Sequence, residues 1–263
     1  MKKYVFIFKS EFMSSLQYIL NVIFGFIGYA VILFVFFQLW EYLYSDPNEL
    51  INGYTMSEMV WYVIITEILW SSLGGRKLCT KICNDIKSGN IAYNICKPYS
   101  YIGYVVSSHL GSIAVKTAIY FLLGMIMGFF FLGGFPKLSL ISILLIAFSS
   151  ILSLGISTLL ILIIGLFSFF IEDAQPFYWL YSKFILIVGT LFPIEFFPKI
   201  VRPILNYSPI FAICYGPAKL FVHFDMLYAL QVIGIQFIYL VVVYFICTLL
   251  YKKGVKKLNV NGG

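Results

Sequence analysis

From Ser139 to Phe170 the chain runs 32 residues without a charged side chain. As a helix that run would reach about 48 Å, well beyond a hydrocarbon core of about 30 Å. Two spans and a turn would need roughly 40 residues. The run therefore reads as one long helix, tilted or bent, with Gly155 and Gly165 as bending points. Five more runs have membrane length, so the expected spans are residues 18–40, 57–75, 103–132, 139–170, 177–197 and 227–250. Composition agrees, with 61% hydrophobic and only 11% charged residues, against about 25% charged in a soluble domain. The expected fold class is an all-α polytopic membrane protein with six transmembrane helices.

The charges orient it. The net charge is +7, yet Lys and Arg stand at the ends of apolar runs, which points to membrane orientation and away from a nucleic-acid partner. With the N-terminus inside, the inner segments hold Lys2, Lys3, Lys9, Arg76, Lys77, Lys81, Lys87, Lys97, Lys183, Lys252, Lys253, Lys256 and Lys257. The first outer loop is acidic, with Glu41, Asp46, Glu49 and Glu58. Splitting the fourth run would put the KKGVKK tail outside, so six spans with both termini cytoplasmic is the better arrangement. No small-residue cleavage site follows the first apolar run, and the N-terminus is expected to be retained. Residues 1–263 then form one transmembrane domain: an N-terminal helix over 1–17, a bundle over 18–250 and a cytoplasmic tail over 251–263. In residues 1–17, Val5, Phe8, Phe12, Leu16 and Ile19 step by three or four, as in an amphipathic helix at the inner membrane surface; a plain extension of the first span is the other reading.

Catalytic chemistry is not evident. There is no G-x-x-x-x-G-K-[ST] to cradle ATP phosphates, no HExxH and no Gly-x-Ser-x-Gly elbow. His109 and His223 are expected on opposite membrane sides. Cys79 and Cys83, four apart, have no His or carboxylate at matching spacing, which favours small apolar filler over metal ligands. Glu67, Lys116 and Lys183 fall inside apolar runs, where charge is costly and must face protein, water or a partner. A structural Glu67–Lys116 pair and a substrate-path lining both fit. Gly124 and Gly128 form a GxxxG that suits generic close packing or a dimer seam. The prolines Pro193, Pro198, Pro203 and Pro209 interrupt a stretch that stays apolar. Broken backbone at membrane depth must be buried in protein or line a wet cavity, although an external loop resting on the bilayer has the same composition.

Between the second and third runs lies DIKSGNIAYNICKP, residues 85–98. Gly89 and Pro98 bracket a helix about two turns long, too short to persist unpacked. Ile91, Ala92 and Ile95 give it a small apolar face. This stretch resembles the cytoplasmic signature of type-2 ABC exporter permeases, "D-I-[KR]-x-G-x-I-A-Y-x-L-x-[KR]-P", matched by Asp85, Ile86, Lys87, Gly89, Ile91, Ala92, Tyr93, Lys97 and Pro98. GYTMSEMVWYVIITE (Gly53 to Glu67) and GTLFPIEFFPKIVRPILNYSPIFAICYGP (Gly189 to Pro217) are similar to the same family, so the likeness covers essentially the whole chain.

The resemblance implies a permease subunit of an ATP-binding cassette exporter, not itself an enzyme. It implies a short cytoplasmic coupling helix at residues 85–98 that docks on a separate ATPase, present in two copies. Re-entrant outer helices would close the exit, with Pro193, Glu195, Pro198 and Pro203 at that gate. A second permease, homologous or identical, completes the assembly. ATP and Mg would sit on the ATPase, and the chain itself is expected to bind no cofactor or metal. The expected location is the bacterial cytoplasmic membrane and the expected cargo hydrophobic or amphipathic. The rival is a motor-independent carrier or channel.

Overall fold

The computed structural model describes residues 2–46 and 49–257. Among these residues the chain is helical throughout, with no strand beyond a single bridge between Ile51 and Tyr54. The helices are α1 (Lys2–Gln17), α2 (Ile19–Leu43), α3 (Met56–Leu73), α4 (Gly75–Lys87), α5 (Asn90–Ile95), α6 (Tyr101–Leu132), α7 (Leu140–Leu166), α8 (Gln175–Ile185), α9 (Arg202–Asn206), α10 (Gly216–Val222) and α11 (Met226–Val255). The expected tail over 251–263 lies in part outside the described residues; α11 covers its first turn.

Polar residues at the edges of the apolar runs start the helices. Thr55 opens α3 with a capping box: its hydroxyl accepts from the Glu58 N–H, and Glu58 Oε2 accepts from the Thr55 N–H at 2.8 Å. Ser100, Ser139 and Asp225 cap α6, α7 and α11 through their side chains.

The uncharged run is one helix. α7 passes through Gly155 unbroken and tightens into a 3-10 turn at Phe167–Phe169, just beyond Gly165. Of the two expected bending points, only the second marks a change of winding.

Among the described residues four helices are long and apolar enough to cross a membrane: α2, α6, α7 with its 3-10 turn, and α11. α3 lies inside them, packed against α2, α6, α7 and α10 and buried along most of its length. α8 continues as a π-helical segment, Leu186–Leu191, so Gln175–Leu191 forms a shorter sixth rod of about 25 Å. Gly124 and Gly128 seat this bundle. A Cβ at Gly124 would fall 2.8 Å from the Tyr29 hydroxyl, and one at Gly128 would fall 2.4 Å from the Trp61 ring. The GxxxG thus holds α2 and α3 within the chain, which is the packing reading and not the seam.

α1 runs alongside the first half of α6 in the same direction. Lys3 Nζ donates to the Pro98 carbonyl at 2.5 Å, the Ser100 N–H donates to the Tyr4 hydroxyl at 3.0 Å, and Ser108 Oγ donates to Glu11 Oε1 at 3.0 Å. Further along, Ser15 Oγ donates to the Ser112 carbonyl. The stripe that meets α6 is therefore Tyr4, Ile7, Glu11 and Ser15, a mostly polar one. The apolar Val5, Phe8 and Leu16 expected to anchor the helix remain exposed. The approach is close: a Cβ at Gly111 would fall 2.4 Å from the Phe8 carbonyl oxygen, and backbone cannot rotate away. Replacing Gly111 by Val should thus lift α1 off α6 at a cost of about 1–3 kcal/mol. Tryptic cleavage after Lys9 of the purified chain should speed up about tenfold or more, while cleavage in the α11 tail stays unchanged.

Candidate functional site

Two regions combine short helices, turns and exposed polar groups, one at each end of the bundle. The first is an elbow where α3 ends and α6 begins. Gly74, at φ +56°, turns the chain into α4. There Leu78, Cys79, Ile82, Cys83 and Ile86 form one buried stripe, while Arg76, Lys77, Lys81, Asn84 and Lys87 face out. α4 packs on α7 and α8, closely enough that a Cβ at Gly165 would fall 2.8 Å from Ile82. Gly89, at φ +75°, then reverses the chain into α5, a conformation costly to any side chain with a Cβ.

Three fastenings hold this elbow. Tyr101 donates to Asp85 Oδ2 at 3.2 Å, and its ring stacks on Tyr251 of α11. Lys87 pairs with Asp173, in the turn between α7 and α8, at 3.3 Å. The Gln175 N–H, with Lys87 beside it, holds the exposed Asp173 carboxyl below its usual range. Ile91 is fully buried, in a core cluster that also contains Leu78, Ile82, Tyr101, Ile102 and Leu166. The small apolar face expected of Ile91, Ala92 and Ile95 is split: Ile91 turns into the chain and Ile95 is exposed. Ile91 is the anchor, Ala92 is half-buried, and Tyr93 is 69% exposed. Lys97 lies 4.3 Å over the Tyr93 ring, and the Pro98 carbonyl takes the bond from Lys3. The outward surface of α5 is thus Tyr93, Ile95 and Cys96.

The second region lies where α3 begins and holds the proline-rich stretch. Leu186–Leu191 and Phe211–Tyr215 are both π-helical and pack on one another. A π turn leaves carbonyls without their usual α-helical donors, and in a bilayer interior these need partners. Each finds one. Tyr62 donates to the Gly189 carbonyl at 3.1 Å and Thr66 Oγ1 to that of Thr190 at 2.9 Å, both from α3. Gln236 Nε2, from α11, donates to Ala212 O at 2.8 Å and to Ser149 O at 3.0 Å. Ser153 of α7 donates to the Ile213 carbonyl.

Between the π segments the chain forms a cap, 192–202. Pro193 ends the first segment, and Pro203 sits in the first turn of α9, where its missing N–H costs nothing. Arg202 stitches the cap from within, donating from Nε to Phe197 O at 2.8 Å and from Nη2 to Glu195 O at 2.6 Å. Trp40 packs edge-on to Phe192 and Phe196. The Glu195 carboxylate reaches out of the cap. It accepts from the Tyr54 hydroxyl at 3.2 Å, from the Tyr215 hydroxyl at 2.5 Å and from Lys219 at 2.5 Å. A cavity of about 340 Å³ opens beside this carboxylate, with Arg202, Tyr215, Lys219 and Tyr228 in its wall.

The three mid-run charges do not meet. Glu67 is buried and accepts from Ser71 Oγ at 3.1 Å, whereas Lys116 donates to the Ser71 carbonyl at 2.5 Å. Ser71 stands between them, so the expected direct pair is replaced by a shared partner. Lys183 is exposed on α8. His109 is buried beside the α1 contact, and His223 lies 3.7 Å from Glu58 at the cap end. Among the described residues no group of His, Cys, Asp and Glu could hold a metal; Cys79 and Cys83 are buried with sulfurs 3.9 Å apart. Sequence reasoning missed Tyr54, Tyr62, Thr66, Arg202, Tyr215, Lys219 and Gln236. Gln236 carried a usable signal, as the deeper of two amides, with Gln231, in an uncharged run that a span tolerates only when they are satisfied.

A family model described as an ABC-2 family transporter protein matches residues 26–262. No curated protein matches the chain.

Proposed function

The chain belongs to the ABC-2 family of transporter proteins, as a multi-pass membrane permease component of an ABC transporter, and from that membership we propose how it is driven and which way it works. α2, α3, α6, α7, the rod Gln175–Leu191 and α11 serve as six spans with both termini cytoplasmic. The elbow end faces the cytoplasm, supported by its exposed Arg76, Lys77, Lys81 and Lys87. The free apolar face of α1 rests in the inner leaflet beside it.

The observation that carries the reading is the rigidity of the elbow. α5 has six residues and could not persist alone. Here it is pinned from within by Ile91, while Tyr93 and Ile95 point away from the chain. Closure of an ATPase pair against Tyr93 would move α4, and with it α7 and α8, on which α4 packs. Two ATPase copies and a second permease complete the machine, with ATP and Mg held by the ATPases. A hydrophobic or amphipathic substrate leaves past the cap 192–202, which forms the outer gate with Pro193, Glu195, Pro198 and Pro203.

Affinity purification of the chain in mild detergent tests this. Recovery of a soluble protein with a phosphate-binding Gly-Lys-[Ser/Thr] loop, in about equal amount, is the expected result. A chain recovered alone, without ATPase activity, would favour a motor-independent carrier.

A further inference from the structure

We propose that Glu195 is the positioning residue that keeps the exit shut, and that opening consists of its release from Lys219 and Tyr54. This rests on the reading that the cap end is the exit. The cap is internally stiff, since Arg202 closes it on itself and the Phe192 and Phe196 rings pack on Trp40. It therefore moves as one piece. Among the described residues, its side-chain hydrogen bonds to the neighbouring elements run through one carboxylate. Tyr54 lies in the turn before α3, and Tyr215 and Lys219 lie one helical turn apart on the returning segment. Those three donors belong to two separate parts of the bundle, so a single side chain joins three elements.

The arrangement suits a bond made and broken repeatedly. Lys219 also donates to the Tyr215 hydroxyl at 2.6 Å, so its ammonium keeps a partner when Glu195 leaves. Both members of the pair are about one-quarter exposed, and the adjoining cavity offers water to the freed carboxylate. A fully buried pair would be far costlier to part.

A native reporter lies behind the cap. Cys214 is buried in the second π segment, its sulfur packed where Gly189 has no side chain. Cys79, Cys83, Cys96 and Cys247 are all at the elbow end, and of these only Cys96 is exposed. The experiment is alkylation of Cys214 by a membrane-impermeant maleimide, in right-side-out and inverted vesicles that carry the complete transporter, read by peptide-resolved mass spectrometry. In the native protein labelling from the outside is slow, and ATP turnover accelerates it. Glu195→Gln and Lys219→Met should label about tenfold faster or more, and without ATP, as expected for losing a charge-assisted contact. Tyr54→Phe, which keeps the ion pair, should give a smaller rise. The exchanged pair Glu195→Lys with Lys219→Glu should return labelling to the slow, ATP-dependent rate, a rescue that a merely structural role would not give.

Native rates in the inserted single variants would overturn the proposal. Equal acceleration at Cys79, Cys83 and Cys247 would also overturn it, because it would mean general loosening. Fast labelling of the variants in inverted vesicles alone would uphold the catch and overturn the reading of this end as the outside.

Discussion

Replacing Tyr93 by Asp should abolish retention of the ATPase while leaving the stability of the purified chain within about 0.5 kcal/mol, since the side chain is exposed and makes only a cation–π contact with Lys97. Replacing Ile91 by Asp should also abolish retention, but by another route. That side chain is fully buried, in one core cluster with side chains of α4, α6 and α7. Truncation alone would cost about 2–5 kcal/mol, and a carboxylate would have to be placed in an apolar site as well. The short helix escapes by swinging out, so the elbow itself comes apart. Proteolysis between Lys87 and Lys97 separates the two cases. Ile91→Asp should be cut rapidly there, and Tyr93→Asp at the native rate. ATPase retention by Tyr93→Asp at the native level would remove α5 from the docking site.

The second large effect is expected at Gln236, far from either end of α11. Gln236→Leu would leave the Ala212 carbonyl, in the π segment, without its side-chain donor, whereas the Ser149 carbonyl keeps its place in the α7 helical ladder. An orphaned buried acceptor costs about 1–3 kcal/mol. The change also removes Gln236 Oε1, a buried oxygen with no protein partner, which offsets part of the loss. The net destabilisation should be about 1–3 kcal/mol, or roughly 3–10 °C in the melting temperature. Gln236→Glu, of the same shape but forced to bury a carboxyl, should also destabilise, because the site must either hold a charge or take up a proton. A melting temperature unchanged in Gln236→Leu would show that the π segment does not depend on α11.

Much of this architecture is visible in the residues. The uncharged run from Ser139 needed one helix, and α7 is one. The Asp85–Pro98 stretch announced a short helix between Gly89 and Pro98, and α5 lies there. The prolines from Pro193 to Pro209 announced broken backbone. Direction could not be read. Hydropathy sets α3, which carries Glu58 and Glu67, apart from the strongly apolar α2, but because lipid and protein interior are equally apolar it does not say that Phe24, Val31 and Val35 of α2 face out. On a helix of six residues, a spacing of three or four does not decide whether Ile91 or Tyr93 turns inward. The apolar stripe of α1 was legible, but not its opposite, polar stripe of Tyr4, Glu11 and Ser15, which docks on α6 where Gly103 leaves room for the Tyr4 ring and Gly111 for the Phe8 carbonyl. Distant polar pairings such as Tyr54 with Glu195 have no local signal at all.

The two π segments also bear on helical phase. Each inserts about one residue into an α-helical register, advancing the downstream residues by roughly 100° about the axis. Phe211–Tyr215 runs straight into α10, so a periodicity carried through it assigns the wrong azimuth to Lys219. Deleting one residue there would restore an ordinary helix and turn Lys219 away from Glu195 by about a quarter of a revolution. The extra residue is thus a setting screw: its presence decides which way the ammonium points.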